Sequence, residues 1–176
     1  MSQFFVVISY ILLATTYLKN KRKTILIIGT SSLIALEISY ILLSAYIGVA
    51  MVAVAIIRNI IFYFDENING KSGKICKKDI IILIILYSIT IIFAIFTYDG
   101  LTSLFSVLET ILYTFSIWQK NPNVYKYMGV PTSISCIIYH IYIKSVFGVI
   151  LETIVLISEV IGIVLNNIKK EPSIKM

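Results

Sequence analysis

A chain of 176 residues that is 59% hydrophobic and 14% charged, with a mean hydropathy of +0.94, has too little polar surface to coat a water-soluble globule. Its 15 basic and 9 acidic residues give a formal net charge of +6. That excess does not imply nucleic acid as a partner, because the lysines are not interleaved with aromatic residues in a soluble segment and are explained by membrane topology and anionic lipid.

Three apolar runs dominate the chain, Thr24 to Phe64, Ile80 to Trp118 and Val124 to Leu165, broken by scattered single polar residues. A helix rises about 1.5 Å per residue, so roughly 20 residues cross a ~30 Å hydrocarbon layer and each run is long enough for two crossings. Backbone amides inside hydrocarbon must be paired internally, and Ile/Leu/Val runs without alternation exclude the strands of a barrel. The predicted fold class is therefore all-α, a single polytopic transmembrane domain of seven helices.

In chain order, a short first span at about 3–18 is followed by Lys19, Lys21, Arg22 and Lys23. No positive charge precedes it in Met1-Ser2-Gln3, so it is expected to remain as a span and not to be removed as a signal peptide. Spans two and three, at about 24–44 and 46–64, divide near Ser44 to Gly48. Lys71, Lys74, Lys77 and Lys78 precede span four at about 79–98, and Tyr98-Asp99-Gly100 turns the chain into span five at about 100–118. Asn121 as cap and Pro122 in the first turn start span six at about 124–144, which divides from span seven at about 146–166 between Lys144 and Gly148. Glycine is available at each of these three divisions for a tight turn.

Short cytoplasmic loops retain positive charge and translocated ones shed it. Lys120, Lys126 and the tail residues Lys169, Lys170 and Lys175 complete a set in which every basic residue but Arg58 and Lys144 falls on one face. The N-terminus is expected outside and the C-terminus in the cytoplasm, with Lys144 snorkelling at an outer helix end. Cys76 lies in an inner loop and Cys136 within span six, so no disulfide and no metal or other cofactor is expected. Tyr63, Tyr98, Trp118, Tyr125 and Tyr127 lie near span ends, where aromatic rings favour the interface, whereas Tyr10, Tyr40 and Tyr139 are deeper.

A shift of one hundred residues lays the first three spans on the last three without a gap, aligning Gly29 with Gly129 and Gly48 with Gly148. The expected organisation is repeat one at about 3–64, a linker helix at about 79–98 and repeat two at about 100–166, with both repeats running in the same sense. This 3+1+3 arrangement resembles the SWEET and PQ-loop transporters, although the proline–glutamine pair that names the latter is absent and only Pro131 lies within a span. A closer resemblance is to the YgjV-type bacterial inner-membrane proteins. It is carried by Val54-Ala55-Ile56-Ile57-Arg58-Asn59-Ile60, by Trp118-Gln119-Lys120-Asn121-Pro122, and by Tyr139-His140 with Gly148 and Glu152. It implies a small protein of the bacterial plasma membrane and leaves any substrate open.

Ionisable residues in hydrocarbon are costly and need a partner or a wet cavity. The candidates are Glu37, Arg58, Asn59, Glu109, His140, Glu152 and Glu159. Arg58 and Glu159 fall at similar depth, which predicts an ion pair between them, either a structural lock or an arginine released to bind an anion. Asn59 and Glu159 are one hundred residues apart, and in the resembling SWEET architecture a polar residue on the third helix of each repeat faces substrate; buried Asn also commonly just joins helices. Glu152 and Glu159, two turns apart, share a helix face with Ser158 beside them.

No phosphate-binding glycine loop and no serine with base and orienter occurs, so catalysis has no support. The leading reading is a small-solute transporter with a midplane site of Arg58, Asn59, Glu152 and Glu159, and with Glu37, Glu109 and His140 as a proton or polar network. Its rival is a structural or receptor-like membrane protein whose interior polar residues only hold the bundle together. Lipid, a small polar solute and a second copy of the chain are the candidate partners.

Overall fold

The computed structural model describes residues 2–44, 46–69, 77–96, 98 and 100–168. Cys76, Asp99 and the lysines 71, 74, 169, 170 and 175, which figure in the expected loops and tail, lie outside them. Among the described residues seven helices run in order: α1 (Ser2–Tyr17), α2 (Arg22–Leu42), α3 (Tyr46–Asn69), α4 (Lys77–Phe96), α5 (Leu101–Trp118), α6 (Pro122–Tyr142) and α7 (Val146–Ile168). No strand occurs among the described residues. By length and composition α2, α4 and α7 are apolar enough to cross a bilayer, and α1 and the Val107–Trp118 part of α5 are shorter apolar helices.

The distribution of side chains is inverted relative to a water-soluble protein. Arg22, Arg58, Asn59, Asp79, Lys126, Glu152 and Glu159 are buried, whereas Ile81, Ile84, Ile95 and Phe96 of α4 are more than half exposed. Water would penalise such a surface and hydrocarbon does not, because there the unfavourable step is leaving a polar group against lipid. On α4 the inward residues are Asp79, Leu86 and Thr90.

Helix neighbours follow the chain, α1 on α2, α2 on α3, α4 on α5, α5 on α6 and α6 on α7, and the two ends of the molecule are joined by α1 packing on α7 and, more lightly, α3 on α5. Small residues bring α1 and α7 close: Ser158 Oγ donates to the Ala14 carbonyl at 2.8 Å, and Gly162 sits against the Tyr17 carbonyl. Ser9 and Ser32 join α1 to α2, with Ser32 Oγ 2.8 Å from the Ser9 carbonyl.

The caps of α2 and α6 match at one hundred residues' distance. Lys21 and Asn121 are both extended, at φ −104° and −95°, and the turns that follow these helices place Ser44 and Lys144 at φ 54° and 56°. Those turns correct the expectation that glycine makes them. Gly48 and Gly148 lie inside α3 and α7, and Gly148 is instead packed against the His140 ring. Of these three turns, the one before α5 does use glycine, with Gly100 at φ 82°. At the start of α6 the expected cap forms, Asn123 N–H donating to Asn121 Oδ1 at 2.9 Å with Pro122 in the first turn.

The end of the bundle that carries α2's first turn is tied by buried charge. Arg22 Nη1 pairs with Glu66 Oε2 at 2.5 Å, and its Nη2 donates to the last carbonyls of α5, Ile117 at 3.1 Å and Trp118 at 3.3 Å. Lys120 lies between Asp79 at 2.9 Å and Asp65 at 3.5 Å, and Trp118 Nε1 donates to the Asp79 carbonyl at 2.9 Å. Lys126 Nζ reaches Asn20 Oδ1 at 2.6 Å and the Gly162 carbonyl at 3.3 Å. Residues whose charge reads as topological in the sequence therefore hold α2, α3, α4 and α5 together, and pin α6 to α7.

Candidate functional site

Arg58 is 4% exposed and does not form the ion pair with Glu159 that its depth suggests. Its Nε donates to Asn59 Oδ1 at 3.3 Å, its Nη1 donates to Thr114 Oγ1 of α5 at 2.8 Å, and its guanidinium carbon lies 5.0 Å from the centre of the Tyr113 ring. These contacts are a neutral amide, a hydroxyl and an aromatic face. An arginine cannot shed its proton in a protein, so the charge persists beside acceptors that carry none.

Three tyrosines occupy the space between Arg58 and Glu159. Tyr113 meets Tyr125 edge to face with centroids 6.4 Å apart, Tyr125 stacks on Tyr17 at 4.7 Å, and the Tyr125 hydroxyl is hydrogen-bonded to Thr16 Oγ1 at 2.7 Å. Tyr125 and Trp118 are buried, not interfacial as their positions near span ends suggest, whereas Tyr98 and Tyr127 are exposed as expected. Tyr17, Tyr113 and Thr114 are the residues that sequence reasoning missed, because nothing in their local pattern marks them from the other tyrosines and threonines.

Glu159 is fully buried; its Oε1 accepts from Ser133 Oγ of α6 at 2.9 Å and its Oε2 has no partner. Asn59, one hundred residues earlier, is also fully buried and has an unpaired Nδ2. The surroundings correspond as well. Gly29 of α2 faces Asn59 Nδ2 and the Tyr113 hydroxyl, and Gly129 of α6 faces the Glu159 carboxyl and the Tyr17 ring. Tyr113 is supplied by α5 and Tyr17 by α1.

Glu152 and Glu159 share the buried stripe of α7 with Gly148, Leu151, Val155, Ser158 and Gly162, as their spacing predicts. Tyr10, Ser133 and Cys136 neighbour Glu152, and Glu109 lies on the other side of Cys136. Glu37 Oε2 and both His140 nitrogens are buried without partners. Arg58 is thus brought together with Asn59, and Glu152 with Glu159, as two clusters. No group of three metal-ligating side chains forms among the described residues.

A cavity lies between α3, α4 and α5, lined by aliphatic side chains of α3 and α4 and by Arg58, Thr90, Phe93, Thr110 and Thr114. Its volume, counted as space open to water centres, is about 20 Å³, enough for roughly one water. Outside the helices, at the charged end of the bundle, burial works against the charge on Lys120, yet the hydrogen bond with Asp79 and the charges of Asp65 and Asp79 hold its ammonium above the ordinary lysine range.

A family model described as a bacterial inner membrane protein matches residues 1–168. No curated protein and no solved structure matches the chain.

Proposed function

The chain belongs to the Imp-YgjV family of bacterial inner membrane proteins, and from that premise we propose that its seven helices all cross the membrane, N-terminus outside, as a small-solute transporter built from two parallel three-helix repeats and a linker, α4. The observation that carries this reading is the pair of fully buried, half-satisfied groups at Asn59 and Glu159. A buried polar atom without a partner costs about 1–3 kcal/mol, which a bundle serving only as scaffold has no reason to carry at two corresponding positions.

The one-hundred-residue correspondence of helix starts, caps and positive-φ turns supports the repeat, as do the reciprocal contacts of α1 with α7 and α3 with α5. Asn59 and Glu159 are the inner contacts for solute in this reading, with Glu152 one step along the same stripe and Arg58 setting the charge preference. Glu37, Glu109 and His140, which are not hydrogen-bonded to one another, are in this reading separate groups for proton exchange.

The cavity's size favours a second reading, a non-transporting structural or receptor-like protein, because one water's volume admits no organic solute in this conformation. Proteoliposomes holding the full chain separate the two. Transport predicts gradient-driven uptake of at least one solute from a panel of small polyols, amines and carboxylates, slowed by Asn59→Leu and by Glu159→Gln. No uptake under any imposed solute or proton gradient overturns it.

A further inference from the structure

We infer that the cavity between α3, α4 and α5 is a binding site for a small monovalent anion of halide size, with Arg58 as its charge. This inference rests on the helices lying in the bilayer, and it stands whether or not the protein transports.

The guanidinium has five N–H donors, of which Nε and Nη1 are committed to Asn59 and Thr114. Among the described residues no carboxylate lies within ion-pair distance of it, although the other buried arginine, Arg22, has Glu66. In a low-dielectric interior a permanent unit charge without a counter-charge is far more costly than two neutral hydrogen bonds offset. The face of Tyr113, 5.0 Å away, compensates part of it through a cation–π contact. An anion in the adjoining cavity supplies the rest.

Size and lining narrow the occupant. Space for roughly one water excludes phosphate, sulfate and organic acids but accepts a monatomic ion. Apart from Arg58, three threonine hydroxyls and the Met51 thioether, the walls are aliphatic or aromatic. Such walls suit a large, weakly hydrated monoanion better than a strongly hydrated one, because less hydration is given up on entry. Leu86, Ile89, Thr90 and Phe93 of α4 line the cavity, so the site belongs to the linker helix as much as to α3.

The test uses the full chain purified in detergent, with chloride replaced by gluconate at constant ionic strength and pH. Unfolding temperature is followed as chloride rises, and chloride NMR line broadening reports bound ion directly. A saturable rise of about 2–4 °C is expected in the wild type, absent in Arg58→Gln and in Ala55→Leu, which fills the cavity and keeps the arginine, and retained in Lys144→Gln. If Arg58→Gln does not fold, Ala55→Leu carries the comparison. Absence of a saturable response in the wild type, or an equal response in Ala55→Leu, overturns the site. Solute uptake with no chloride response leaves transport standing and removes the anion site; chloride binding in a protein that moves no solute does the reverse.

Discussion

The rings of Tyr17 and Tyr125 are stacked, 4.7 Å between centroids and 10° from parallel, at the place where the end of α1 meets the start of α6. With Tyr113 edge-on against Tyr125, they form an aromatic layer that keeps the guanidinium of Arg58 from the carboxyl of Glu159. The layer joins α1, α5 and α6 and separates the two polar clusters.

Two substitutions at Tyr125 distinguish stacking from its hydroxyl. Tyr125→Phe keeps the stack and removes the bond to Thr16, a loss of about 1 kcal/mol. Tyr125→Ala empties a buried ring site and costs about 3–5 kcal/mol. Unfolding titrations in mixed micelles measure both; equal losses would show that the ring does not hold the halves together.

At the charged end, Asp79→Asn removes one partner of a buried pair and is expected to cost about 3–5 kcal/mol. Asp65→Asn, whose carboxylate is farther from Lys120 and more exposed, costs less. The same titrations rank the two, and a reversed order contradicts the geometry.

Lys120 also carries a pH signature. Its folded pKa is raised, so its contribution to stability is complete below the unfolded lysine value of about 10.4 and is lost as pH rises through the folded value above that. Wild-type stability should fall over this alkaline window more steeply than that of Lys120→Met. Parallel curves would remove Lys120 from the account.

Corresponding glycines should respond in opposite ways. A Cβ on Gly29 meets only ordinary contacts, 3.6 Å from Asn59 Nδ2 and 3.7 Å from the Tyr113 hydroxyl, so Gly29→Ala is expected to be neutral or to stabilise by up to about 1 kcal/mol through helix propensity. A Cβ on Gly129 comes within 2.5 Å of the Tyr17 ring and 2.7 Å of Glu159 Oε1, and one on Gly162 runs into the backbone carbonyl of Tyr17. Gly162→Ala therefore separates α1 from α7 and is the most damaging of the three. Unfolding midpoints of the three alanine variants give the order directly.

The helices and their inward faces were legible because membrane spans are written in length and periodicity; the seven-residue step from Glu152 to Glu159 placed both on the buried face of α7. Depth along a helix could be counted, which is why Arg58 and Glu159 looked like partners. What stands between two residues of equal depth depends on helix order around the bundle, and no residue count reveals that Tyr17, Tyr113 and Tyr125 intervene. Turn chemistry misled for a related reason. Ser44 and Lys144 accept the left-handed conformation at a strain of about 1–2 kcal/mol, while Gly148 and Gly162 are used where helices approach closely. Arg22 and Lys126 likewise read as cytoplasmic markers, and only tertiary packing shows them inside the protein.

Among the helices α4 is the least enclosed, resting on α5 along one side and anchored at its base through Asp79. Beyond Lys77 and Lys78 at its start and the exposed Ser88, the surface it presents is aliphatic or aromatic. The apolar letters on its outer face are consequently interchangeable, and a saturation library of this helix should drift freely there among Ile, Leu, Val and Phe while holding Asp79, Leu86, Tyr87, Thr90 and Phe93.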